Sequence, residues 1–165
     1  MEENLINWIK HLSQKRDELD GFSICPFAKK AMDEKNVFYD YINQKHTYFI
    51  EEHIIKKLQE IESTNDIEVM VFYNTHKDLT DEQLTCIITN LNNKREYSGY
   101  IFLKDHPDRP GIINGVCTGN GQYPIVLAQP RKKLMAAREI LKNSRYYDNW
   151  SEDYKQEIWS YGNDS

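Results

Sequence analysis

Ile67-Glu68-Val69-Met70-Val71-Phe72-Tyr73 is apolar at every position except Glu68. A continuous apolar run of this length, rich in β-branched and aromatic residues, predicts a strand buried on both faces, as in a sheet covered by helices. Upstream, Ile50, Ile54, Leu58 and Ile61 share one face of a helix expected over residues 47–63, and residues 37–42 read as another strand. Downstream, Thr80 and Gln83 form a capping box, Leu79 and Leu84 can staple it, and Leu84, Ile87, Ile88 and Leu91 supply a buried stripe. Cys86 lies beside that stripe and reads as a small core or boundary residue rather than a reactive thiol. Residues 99–103 and 125–128 predict two more strands, and Pro130-Arg131 opens a helix with Leu134, Ala137 and Leu141 inward. At the start, Leu5, Trp8, Ile9 and Leu12 mark a helix expected over residues 3–19, and a short one follows Cys25 to about residue 35. After Tyr146 an aromatic tail ends in a short helix capped by Ser151.

These elements predict a single α/β domain over residues 1–165, with a central mixed sheet of about four strands covered by helices. From residue 37 onward the element order is that of a thioredoxin-like core carrying an extra N-terminal helix. The cysteine of that fold's usual turn is missing near residues 45–47, and no proline stands just before the strand at Gly99.

Composition removes several classes of function. A net charge of -5, with Lys and Arg scattered, is not the footprint of a nucleic-acid binder. No apolar run approaches the length of a membrane span, and the first ten residues lack a secretory apolar region, so a cytoplasmic location is expected. Cys25, Cys86 and Cys117 are too few and too widely spaced for a disulfide framework. No histidine pair has metal-ligand spacing, so the sequence names neither a metal nor a cofactor.

Two segments carry candidate chemistry. In Cys25-Pro26-Phe27-Ala28 the proline suits the first helical position, which places Cys25 at the N-cap. A thiol there faces free N–H groups and the positive helix end, with Lys29 and Lys30 nearby, and these favour the thiolate. The flanking Phe22, Ile24 and Phe27 equally fit a cysteine packed under a turn. The second segment, residues 104–124, holds four of the chain's seven glycines and reads as one long loop at the carboxyl end of a strand, where α/β proteins bind ligands. Its candidates are His106 and Cys117 for chemistry, and Asp105, Arg109, Gly115, Thr118, Gly119 and Gly121 for holding a ligand. The glycine spacing is neither a dinucleotide fingerprint nor a P-loop.

Cys25-Pro26-Phe27-Ala28, His106-Pro107 and Tyr123-Pro124, in that order, resemble an uncharacterised bacterial domain family over residues 8–138. The resemblance implies interest in Cys25 and His106 and names no reaction. The glycine cluster departs from that family's pattern.

Three functional expectations follow. The first is a thiol-dependent enzyme, with Cys25 as nucleophile or redox sulfur, His106 as base, Cys117 as resolving thiol and the glycine-rich backbone as binding loop. The second is a non-thiol enzyme or sensor that holds a small anionic ligand on Arg109 and the 105–123 loop. The third is an interaction module or homo-oligomer built on the tail aromatics Tyr146, Tyr147, Trp150, Tyr154, Trp159 and Tyr161.

Overall fold

The computed structural model describes residues 2–61, 67–76, 78–94, 97 and 99–161. In chain order its elements are α1 (Glu2–Ser13), α2 (Pro26–Asp33), β1 (Val37–Ile42), α3 (Thr47–Ile61), β2 (Val69–Asn74), α4 (Asp81–Asn93), β3 (Tyr100–Asp105), β4 (Ile112–Ile113), β5 (Val116–Cys117), β6 (Ile125–Pro130), α5 (Arg131–Lys142) and α6 (Glu152–Ser160). The fold is α/β, with a mixed four-stranded sheet in the order β1-β2-β6-β3. β1 runs parallel to β2, and β6 runs antiparallel to both β2 and β3. This strand order, with β1 at an edge, does not confirm the thioredoxin-like variant of the expectation.

Every residue of β2 is buried, as its apolar run requires. Alternation along the strands divides the core into two layers. Met70, Phe72, Phe102, Val126 and Ala128 face α3 and α4, where Ile50, Ile54, Leu58, Leu84, Ile87, Ile88 and Leu91 meet them. Val69, Val71, Tyr73 and Ile125 face α1 and α2, against Leu5, Trp8, Ile9, Leu12, Ala28 and Ala31. The Thr80 capping box forms in full, and the Ser151 hydroxyl accepts the Tyr154 N–H at the start of α6. Glu68, the one polar residue in the run that leads into β2, is buried between Lys133 at 2.8 Å and Lys30 at 3.0 Å. Burial alone would raise its pKa, but the two ammonium groups together hold it below the ordinary carboxylate value.

Several expectations need correction. α1 stops at Ser13 because residues 13–18 are all polar and the buried stripe lapses until Leu19. The chain then makes a 3-10 turn over Asp17–Leu19 and reverses through Asp20 (φ 53) and Gly21 (φ 79). Cys86 is exposed rather than at a boundary. On α5, the inward position after Leu134 is taken by Arg138 rather than Ala137. Residues 104–124 are not one long loop. Ile112 pairs with Cys117 and Ile113 with Val116 around Asn114 (φ 45) and Gly115 (φ 81), a tight Asn-Gly hairpin.

Phe72 lies in the layer against α3 and α4, whereas Thr80 caps α4 from outside it. Phe72→Ala is expected to cost about 3–5 kcal/mol and Thr80→Ala about 1 kcal/mol, read as shifts in urea unfolding.

Candidate functional site

Behind the α1/α2 layer the packing is incomplete. A cavity of about 140 Å³ lies between one face of the sheet and the helices that cover it. Leu103, Asp105, Leu127 and Gln129 form its floor, residues two apart on β3 and β6 that alternation turns to the same side. Trp8, Leu12, Ile24, Cys25 and Phe27 line the side next to α1 and α2. Leu134, Arg138 and Leu141 line another side, at one face of α5. Tyr146, Tyr147, Trp150, Tyr154 and Ile158 roof it.

That roof is a chain of ring contacts. Tyr146 meets Trp150 at 5.5 Å between centroids, Tyr147 meets Trp150 at 5.1 Å, and Trp150 meets Tyr154 at 4.9 Å. Tyr146 also packs edge-on against Phe22, and its hydroxyl donates to the Ile24 carbonyl beside Cys25. All six tail aromatics are buried or half-buried, although no residue of α6 is fully buried. Arg138, only 4% exposed, donates to the carbonyls of Ile158 at 3.2 Å and Tyr161 at 3.3 Å. A guanidinium at the last carbonyls of α6 satisfies groups that the helix leaves open and complements the negative end of its dipole.

Cys25 is the N-cap of α2, with Pro26 at the first helical position as the sequence requires. Its environment is not the activating one. Lys29 is bound to Asp33 and Lys30 to Glu68, so both ammonium charges are already compensated. Burial pushes the thiol above its ordinary value, and the N–H groups of Ala28 and Phe27 pull it back only in part. The residue is half-buried and lines the cavity.

Cys25 lines the same cavity as Asp105 and Thr118, whereas His106 and Cys117 do not line it. His106 is buried, its Nε2–H donates to the Leu79 carbonyl at 2.8 Å, and its Nδ1 accepts the Asp108 N–H at 3.2 Å. With both nitrogens engaged, it ties the end of β3 to the start of α4. Cys117 is exposed at the edge of the hairpin and does not line the cavity. Among the described residues no cluster of His, Cys, Asp and Glu is arranged to hold a metal ion.

The ligand-holding residues also divide. Asp105 accepts from the Asn120 backbone N–H at 2.8 Å and from its side-chain amide, yet burial still raises its carboxyl above the ordinary value. Gly119 is where that turn crosses Pro110: an added Cβ would lie 2.6 Å from the proline Cβ. Gly121 (φ 68) and Gly115 serve turn geometry. The loop is pinned rather than open. Trp8 donates to the Thr118 carbonyl, the His11 ring to that of Cys117 and Asn114 to that of Glu18. The N–H groups of Thr118, Asn120, Gln122 and Tyr123 all have partners inside the loop or in Asp105. Arg109 is 74% exposed and lies 3.4 Å from Asp81, which also holds Lys104.

Sequence reasoning missed Arg138 as a site residue. Its spacing four after Leu134 was the available signal, but a charged residue at that position reads as solvated.

Two measurements check this electrostatic description. Alkylation of Cys25, followed by mass spectrometry, should show a midpoint above the ordinary thiol value. Tyr154, raised by burial to about 12, should give a similar signal in the alkaline range. Because its folded pKa exceeds the unfolded one, its contribution to stability is complete below the ordinary tyrosine value and is lost as pH climbs toward the folded value. Tyrosinate absorbance and circular dichroism should therefore change together there, and Tyr154→Phe should remove part of that change.

No family model matches this chain, and comparison with curated proteins and with solved structures gives no match.

Proposed function

We propose that this chain is a thiol-dependent enzyme acting on a small molecule held in the aromatic-roofed cavity. One observation carries the reading: Cys25 and Asp105, two reactive groups far apart in sequence, line the same largely apolar space. A dry apolar cavity of about 150 Å³ takes up benzene, so a void of about 140 Å³ suits a single-ring compound or one of similar size. Aromatic walls with a few convergent polar groups are the ordinary make-up of a small-molecule site.

Since burial favours the neutral thiol, Cys25 needs a base when it reacts. In the proposed step the Cys25 sulfur bonds to a carbonyl carbon of the ligand and the carbonyl π pair moves to oxygen. Asp105 takes the thiol proton and returns it to that oxygen. A carboxyl whose pKa is raised by burial is suited to such a relay. Cys25 and Asp105 keep the roles of nucleophile and site residue expected of them, and Asp105 replaces His106 as the proposed proton carrier.

The test uses the chain's other thiols as internal controls. Saturating benzaldehyde should slow alkylation of Cys25 severalfold and leave Cys86 and Cys117 unchanged. Asp105→Asn should weaken that protection while ring binding, followed by the fluorescence of Trp8 and Trp150, persists. An unchanged Cys25 rate under saturating benzaldehyde would overturn the proposal.

A further inference from the structure

Arg138 has a second consequence. Its partners among the described residues are the carbonyl oxygens of Ile158 and Tyr161 and, at 4.0 Å, the Met135 sulfur. None of them is a carboxylate. Burial lowers its pKa, Tyr147 works the other way, and the charge of Arg131 lowers it again. A cation removed from water without a counter-charge is costly, and native proteins pair such groups. The two carbonyls take up part of its hydrogen-bonding capacity and do not balance its charge.

Among the described residues, the other charges lining the cavity do not supply an anion to it. Lys104 is bound to Asp81. Asp105 is tied to Asn120, and the charges that act on it are those of His106 and Lys104. Arg138 and Asp105 therefore stand at electrostatically separate parts of one space, a fixed positive charge at one and a proton carrier at the other. Trp, Tyr, Phe and Leu side chains make up most of the remaining lining.

From this we infer that the substrate is a monocyclic aromatic acid that also carries the reacting carbonyl, its ring in the apolar cavity and its carboxylate on Arg138. The inference rests on the reading of the cavity as a small-molecule site and adds the charge and class of the molecule. A guanidinium suits this task because it carries five N–H donors, more than the two carbonyls take up, and stays charged when buried. Arg138 would then both close α6 over the cavity and recognise the molecule beneath it, so substrate binding and roof closure share one side chain.

The experiment compares phenylacetate, phenethylamine and ethylbenzene at neutral pH, with binding followed by tryptophan fluorescence and by thermal shift. Phenylacetate is expected to bind at least about tenfold more tightly than phenethylamine, the factor appropriate to a desolvated charge pair. Arg138→Met should abolish that preference, and Arg138→Lys should retain part of it. Circular dichroism checks that each variant is folded. Should Arg138→Met fail to fold, a larger thermal shift with phenylacetate than with ethylbenzene in the unaltered chain supports the inference, and an equal or smaller shift overturns it. Equal or tighter binding of phenethylamine overturns the charge assignment alone. Failure of all three compounds to bind, with Cys25 unprotected, overturns the cavity reading as well.

Discussion

β6 is the strand on which the rest of the molecule depends. It pairs with β2 on one side and β3 on the other, so it joins the parallel β1-β2 unit to the remaining strand. Its alternation sends Val126 and Ala128 into the layer under α3 and α4, and Ile125, Leu127 and Gln129 to the opposite face. Because side chains alternate with a period of two, a one-residue slip would exchange these sets and place Gln129's neighbours where the cavity floor now stands. The bond from the Asn74 N–H to the Pro124 carbonyl, just before β6 begins, helps hold that register. Two cores and one cavity thus follow from a single alignment of backbone hydrogen bonds.

The site is an outcome of that alignment and of uneven covering. The layer against α3 and α4 is filled by branched aliphatic residues from long, well-matched helices. The opposite face is covered by the short α2, by α1, and by a C-terminal segment whose rings meet edge-on or tilted. Aromatic rings joined in these geometries are less able to fill the spaces between them than interdigitating Leu and Ile. Cys25, Asp105 and Arg138 come to one space from α2, β3 and α5, three elements that share only the sheet face beneath them.

The sheet and most helices were legible because their signals are local. The run into Tyr73 marks β2, and Thr80 with Gln83 marks α4, without reference to anything distant in the chain. The end of α1 was also written locally, in the polar stretch from Ser13 to Glu18, but the helical pattern before it was extended too far. Asn114-Gly115 was a hairpin signal obscured by the other glycines around it. The candidate site was legible only in part. Pro26 shows that Cys25 caps a helix, and Asp33, four residues after Lys29, offers that lysine a partner on the same face, yet nothing in the sequence shows that Lys30 meets Glu68 or that the thiol is buried. His106 looked chemically free because its partner, the Leu79 carbonyl, lies far back in the chain. Arg138 stayed hidden for the opposite reason: its burial depends on a helix formed by residues after it.

The cavity also gives the fold a mechanical character. Unfolding would expose the walls of this pocket of about 140 Å³, and internal space of this kind adds to the shrinkage that proteins undergo when they unfold. Hydrostatic compression therefore acts on the α1/α2 side of the sheet more than on the filled layer beneath α3 and α4. A molecule lodged under the aromatic roof would replace empty space with matter of low compressibility, so occupancy would change the volume of the protein as well as its chemistry.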